Sequence, residues 1–252
     1  MEHGKNRYFI SDAHLGGTAF TDDREREKKL VRFLDSVKDS ASDIYFMGDI
    51  FDFWYEYRYV VPKGSVRLLG KMAELSDSGV NLHFFIGNHD IWTYGYLEQE
   101  IGCKVYKKPV LSEIDGKIFY LSHGDMDGYR PVSVRLMQWV FHNDAIRRIY
   151  STLHPWINLK FGLAWSRYNR LHKHKEEPSY LGEDKEYLVR FAKEKIKTEK
   201  IDFFIFGHRH VMLDLELANG SRVVYLGDWV NNFSYGLWDG KDFRLEIFLE
   251  DE

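Results

Sequence analysis

What the 252-residue chain has little of narrows it first. It holds a single cysteine, Cys103, which excludes an intramolecular disulfide and fits a reducing compartment; such a residue reads as a small buried apolar group. No uncharged run reaches the ~18 residues of a membrane span, and Met1 to Asn6 contain no apolar stretch of a targeting signal. The expectation is a soluble, cytoplasmic protein, at most peripheral to the inner membrane. There is no basic excess either: 35 Lys and Arg face 39 Asp and Glu, so overall charge gives no sign of a nucleic-acid partner. No internal repeat or low-complexity segment stands out. A chain this long buries roughly three quarters of its unfolded surface, which suits one α/β domain with an insertion.

Apolar runs without helical periodicity predict strands at Tyr8 to Ile10, Asp43 to Met47 and Leu82 to Ile86. Between them, Arg24 to Lys38 carries Leu30, Phe33, Leu34 and Val37 at helical spacing behind Thr21-Asp22-Asp23, a capped amphipathic helix, and a second helix is predicted around Ser65 to Ser76. Strand and helix in alternation predict parallel pairing. The second half differs. Asp115-Gly116, Asn219-Gly220 and Asp239-Gly240 each separate two apolar runs, the mark of hairpins. The sheets are therefore expected to be mixed.

Residues 126 to 178 hold long amphipathic patterns broken at His154-Pro155, and read as an inserted helical cap on a core formed by 1–125 and 179–252. From Arg130 to Lys175 nine Lys and Arg face one acid, Asp144. In an acidic protein that concentration is an electrostatic footprint for an anion.

Five strand ends deliver metal-capable side chains: Asp12-Ala13-His14, Gly48-Asp49, Gly87-Asn88-His89-Asp90, His123-Gly124-Asp125 and Gly207-His208-Arg209-His210. In extended backbone, residues i and i+2 point the same way, so Asp12 with His14 and His208 with His210 are expected to converge. Nitrogen and oxygen donors without thiolate suit Mn²⁺, Fe or Zn²⁺. Seven donors with one shared is the right number for two adjacent ions.

These motifs, in this order from Asp12 to His210, resemble those of the calcineurin-like metallophosphoesterases. The resemblance implies a four-layer αββα sandwich of two mixed sheets, with two divalent metals, Mn²⁺ first among them, at the strand ends. It implies that Asp12, His14, Asp49 and His210 hold one ion, and Asn88, His123, His208 and the shared Asp49 the other. A hydroxide bridging the ions would attack phosphorus. His89 would stabilise the transition state or protonate the leaving group, and Asp52 would orient its imidazole, while Asp90 and Asp125 read as loop acids.

Gly48-Asp49-Ile50-Phe51-Asp52-Phe53-Trp54, the basic helical insertion and Val224 to Trp229 resemble the branch that hydrolyses UDP-2,3-diacylglucosamine in lipid A biosynthesis. That branch implies a UDP-linked diacylated sugar as partner, with UMP and a sugar 1-phosphate as products. Asn88, His89, Asp127, Tyr129, Arg130, Arg167, Asn169, Arg170 and Lys173 are the candidate substrate contacts. Trp139, Phe141, Trp156, Phe161, Leu163 and Trp165 are candidates to line an acyl groove or meet an anionic membrane surface. Helix-packing core is the alternative for these aromatics. Where the best-known members of the branch carry Arg, this chain has His89. A nucleotide or nucleic-acid phosphodiesterase on the same metals, and a non-catalytic scaffold on the same fold, are the other readings.

Overall fold

The computed structural model describes residues 6–17, 22–173 and 179–250; the side chains of Asp144 and of residues 169–173 lie outside that description. In chain order the elements are β1 (Asn6–Ile10), α1 (Asp23–Val37), β2 (Ala41–Phe46), α2 (Val66–Asp77), β3 (Asn81–Phe85), α3 (Tyr96–Gln99), β4 (Lys104–Tyr106), β5 (Val110–Ile114) and β6 (Lys117–Ser122). There follow α4 (Val132–His142), α5 (Asp144–Ser151), α6 (Pro155–Lys173), α7 (Tyr187–Lys195), β7 (Phe203–Phe206), β8 (Met212–Glu216), β9 (Arg222–Leu226), β10 (Ser234–Trp238) and β11 (Phe243–Ile247).

Two mixed sheets result, one of six strands in the order β11-β10-β1-β2-β3-β4 and one of five in the order β5-β6-β7-β9-β8. β1 to β4 pair in parallel, as do β6, β7 and β9. The hairpins fall where the dipeptides place them. At Asp115-Gly116 both residues have positive φ, 49° and 77°, the geometry of the two-residue turn whose twist matches its strands.

Alternation along the strands sorts side chains into layers. Phe9, Tyr45 and Phe85 of the first sheet meet Phe119, Phe203, Ile205 and Val224 of the second in one apolar layer. On the outer face of the first sheet, Ile10, Ile44 and Phe84 pack under Leu30, Phe33 and Leu34 of α1 and Leu68 and Met72 of α2. Across the molecule Phe204, Phe206 and Val223 pack under Leu188, Val189 and Ala192 of α7. This is the expected four-layer sandwich. Each fully buried Phe contributes about 2–3 kcal/mol of transfer free energy, and the layer under α1 and α2, with Phe33, Phe46, Phe51 and Phe84, holds more of them than the central one.

Three details depart from expectation. α1 has Asp22 as its N-cap residue but no side-chain cap bond; Asp23 instead accepts the Gly16 amide at 2.9 Å, and Thr21 lies outside the described residues. The short β4 and the helix α7 add to the expected elements, although α7 carries Leu188, Val189 and Ala192 at helical spacing. Cys103 is buried and free, as expected.

Candidate metal centre

Parallel strands present their carboxyl ends on one edge, where α/β sheets place their ligands. Asp12 and His14 follow β1, Asp49 follows β2, Asn88 and His89 follow β3, His123 follows β6, and His208 and His210 follow β7. These side chains do not converge through extended alternation. Asp12, His14, Asp49, His208 and His210 all adopt positive φ, between 45° and 65°, so the chain has left the strand and turned. Left-handed backbone costs a non-glycine residue about 1–2 kcal/mol, and five such residues at one edge are the kind of strain that clusters at functional sites. The donors converge through these turns and not through strand geometry.

Potential ligand atoms of Asp12, His14 and His210 lie within 4.8 Å of one another, and so do those of Asp49, His123 and His208, and of His14, Asp49 and His89. Asp12 Oδ2 accepts the Ser11 hydroxyl at 2.6 Å and the His208 amide at 2.8 Å, while Oδ1 has no hydrogen-bond partner. Asp49 Oδ1 accepts the His89 amide at 2.8 Å. Its Oδ2 stands 3.3 Å from His123 Nε2 and 3.9 Å from His14 Nε2, between the two groups.

The imidazoles are oriented from behind. His123 Nδ1 donates to the Met47 carbonyl at 2.9 Å, which leaves Nε2 facing the cluster without a hydrogen-bond partner. His210 Nδ1 bonds Asp228 Oδ2 at 3.2 Å, leaving Nε2 at 3.2 Å from both Asp12 Oδ1 and His14 Nε2. Such partners fix ring and tautomer for coordination. Buried polar atoms are normally satisfied, so the bare Asp12 Oδ1, Asn88 Oδ1 and His123 Nε2, the first and last in the two groups just described, fit cations.

Electrostatics agree. Burial raises the Asp12 and Asp49 carboxyls, but the surrounding histidines, His210 first for Asp12 and His123 first for Asp49, hold both well below the carboxylate range. Burial and then His123 push His208 down to about 3. Burial lowers His123 and His210, but Asp49 for the first and Asp12 for the second outweigh it and raise both. Ionised carboxylates and neutral imidazoles are the forms that bind metal, so a cation entering here displaces the protons of those two rings. Asp90, fully buried, is pushed up to about 7 by burial and then by Asp49, and burial first takes Asp125 to about 6. Asp90 accepts the Gly87 amide at 2.7 Å and the Ile50 amide at 2.8 Å, tying two ligand loops together as a loop acid would.

Asp52 reaches His89 through its backbone: His89 Nδ1 donates to the Asp52 carbonyl at 2.7 Å, whereas the carboxylate is 3.9 Å away. Asp52 Oδ1 lies 3.4 Å from His14 Nδ1. Two residues escaped the sequence reading. Asp228 ends a strand as Leu226-Gly227-Asp228, the same pattern as Gly48-Asp49, and that repetition was its available signal. Ser166, on α6, donates to Asp52 Oδ2 at 2.7 Å; nothing in the sequence marks it.

The candidate substrate contacts divide. Asp127 is buried, its oxygens taken by the Tyr120 hydroxyl at 2.5 Å and by the Ser122 hydroxyl, which places it inside the fold and not on an open binding face. Tyr129 and Arg167 are exposed, and Arg130 bonds Gln138. The side chains of Asn169, Arg170 and Lys173, and all of Lys175, lie outside the described residues. Phe53, next in the chain to Asp52, lines an apolar cavity of about 300 Å³ together with Trp92, Phe141, Tyr150, Phe161 and Trp165. Trp139 and Trp156 are exposed. In the aromatic segment, Phe51, Trp54 and Tyr55 pack inward while Phe53 faces the cavity. No helix among the described residues is long and apolar enough to cross a membrane.

The sequence profile of the calcineurin-like phosphoesterases matches residues 6–212. A UDP-2,3-diacylglucosamine hydrolase from Porphyromonas gingivalis is 43% identical over 95% of this chain and 96% of its own length. Hydrolases of the same name from Haemophilus influenzae and Neisseria meningitidis are 26% and 24% identical, covering 91% and 98% of this chain and 93% and 99% of their own.

Proposed function

The chain belongs to the calcineurin-like phosphoesterase family and is a metal-dependent phosphoester hydrolase; from that premise we propose that it cleaves the pyrophosphate of UDP-2,3-diacylglucosamine to UMP and 2,3-diacylglucosamine 1-phosphate. The observation that carries the substrate is the apolar cavity that Phe53 helps to line. Small phosphodiesters have no use for it, whereas an acyl chain does. Phe53 lines it, next in the chain to Asp52, so an acyl group held there leaves its attached phosphates at the metal edge.

Asp12, His14, Asp49 and His210 hold one ion, and Asn88, His123, His208 and the shared Asp49 the other. The N/O donor set suits Mn²⁺, with Fe or Zn²⁺ as chemically similar occupants. Such ions supply a nucleophilic water at neutral pH and neutralise phosphoryl oxygens. The protein does the rest. Asp49 sets the spacing of the two sites. The Met47 carbonyl and Asp228 keep the His123 and His210 rings turned inward. His89, fixed at Nδ1 by the Asp52 carbonyl, keeps Nε2 for the substrate phosphate or the leaving oxygen.

Residues 126–178 act as a cap in this reading. Its basic residues, Arg167 among them, meet the phosphates. Exposed Trp139 and Trp156 with the surrounding Lys and Arg contact an anionic membrane surface, where the substrate resides. The test is mass-spectrometric product analysis with the UDP-diacylated sugar offered beside acyl-free UDP-sugars and short oligonucleotides. Acyl-dependent UMP release is expected. Preference for oligonucleotides would replace this reading with a nucleic-acid phosphodiesterase.

A further inference from the structure

α6 is built inside out. Trp156, Phe161 and Trp165 are 63%, 61% and 45% exposed, while the buried members among its described side chains are Asn158, Gly162 and Ser166. A spacing of four places those three on one stripe. The stripe runs along residues 52 to 57 in the opposite sense. Ser166 Oγ donates to Asp52 Oδ2 at 2.7 Å. A Cβ on Gly162 would stand 2.3 Å from the Phe53 ring, so only glycine allows this approach. Asn158 Nδ2 donates to the Tyr57 hydroxyl at 2.6 Å.

Asp52 therefore joins three things. Its Oδ2 takes the α6 hydroxyl, its Oδ1 lies 3.4 Å from His14 Nδ1, and its carbonyl takes His89 Nδ1 at 2.7 Å. We propose that Ser166 is a positioning residue that couples the seating of α6 to the metal centre through Asp52. A buried carboxylate turns about one bond, and the Ser166 hydroxyl fixes that rotation so that the second oxygen faces His14. His14 Nδ1 makes no hydrogen bond, so the Asp52 carboxylate acts on the ring by its charge at 3.4 Å, and a carboxylate behind a ligating imidazole favours the ring orientation that faces it. When α6 seats with its stripe against residues 52 to 57, His14 is held with Nε2 toward Asp12 and His210; when it does not, Asp52 loses one of its anchors.

The inference rests on the two-metal reading, and the experiment separates the two. Mn²⁺ binding is measured by calorimetry on the full chain, alongside kcat and KM on bis(4-nitrophenyl) phosphate, a substrate with no acyl chain to engage the cavity. Ser166→Ala is expected to weaken Mn²⁺ binding by about three- to tenfold, below the 10- to 100-fold typical of losing a ligand's direct partner, and to lower kcat more than it raises KM. Ser166→Thr restores both, and Ser166→Cys, a near-isosteric weak donor, falls between, which keeps the test open should the alanine variant fold poorly. In an Asp52→Ala background Ser166→Ala adds no further loss, because the coupling acts through Asp52. Unchanged Mn²⁺ affinity and kcat in Ser166→Ala, or a full second loss in the Asp52→Ala background, would overturn the coupling while leaving the metal centre intact. Wild-type metal binding by Asp49→Ala would instead remove the reading on which it rests.

Discussion

Asp49 and His89 are joined through the main chain: the His89 amide donates to Asp49 Oδ1 at 2.8 Å. The carboxylate between the two candidate metal-binding groups and the ring proposed to meet the substrate are thus placed by one peptide. Asp90 reinforces the arrangement by taking the amides of Gly87 and Ile50. The Gly87-Asn88-His89-Asp90 turn is the brace between the β2 and β3 loops.

His89 is read as a catalytic group and not as a ligand, although its ring lies near His14 and Asp49. His89→Ala should bind the same number of metal ions as the wild type while kcat falls by roughly 10²–10⁴, the usual contribution of a placed acid–base group. Metal analysis of the purified variant decides the point. Loss of an ion would make His89 a ligand.

Glycine at the strand ends is required by contact and not by turn geometry alone. A Cβ on Gly207 would sit 1.9 Å from Ser11 Oγ and 2.7 Å from Asp12 Oδ2. Gly207→Ala should therefore lower metal affinity and thermal stability together. Gly220, with φ of +83° and open space around it, is the control: Gly220→Ala should cost about 1–2 kcal/mol from left-handed strain and leave activity unchanged. Chemical denaturation and steady-state kinetics on the pair test the contrast.

At the opposite end of the sheet, Asp43 pairs with His83 Nε2 at 2.9 Å and lies 3.7 Å from Arg7. Burial raises its carboxyl, but His83, Ser42 and Arg7 outweigh burial and hold it below its ordinary value. A carboxyl lowered on folding adds stability that is present above its unfolded pKa and lost as pH falls through its folded one. Asp43→Asn should cost on the order of 1 kcal/mol at pH 7, in keeping with a partly solvent-screened pair. The gap between variant and wild type should close as pH falls below about 4, where an ordinary Asp protonates. Urea denaturation across that range reads it, and a gap that persists in acid would assign the effect to packing.

The apolar cavity gives a substrate-specific prediction. Ile146 is one of its lining residues, and Ile146→Trp fills space an acyl chain would occupy. The variant should lose at least about tenfold in kcat/KM on the diacylated substrate, the scale of a few displaced methylenes. On an acyl-free phosphodiester the loss should be much smaller. Equal losses on both would detach the cavity from the substrate.

Much of this was legible because the candidate ligands sit where apolar runs stop, and an apolar run ending in Asp, His or Asn is visible in one dimension. The parallel halves and the three Gly-containing hairpins follow from local patterning for the same reason. The geometry of convergence was not legible. Extended alternation brought Asp12 to His14 on paper, whereas left-handed turns do so in the fold, and φ is not written in the side chains. Ser166 was invisible because a buried serine on a helix with exposed tryptophans inverts the pattern that marks a buried face. Asp127 reads as a free acid until Tyr120 and Ser122 are seen to occupy it.

The two-metal centre is tested most directly by metal stoichiometry and activity measured together on the wild type, Asp49→Ala and His123→Ala. The wild type reconstituted with Mn²⁺ should hold two ions per chain. Each variant should bind fewer and lose Mn²⁺-stimulated hydrolysis of a phosphodiester, Asp49→Ala most severely because its carboxylate serves both sites. Full activity in Asp49→Ala, or a wild type that saturates with a single ion, would contradict the account.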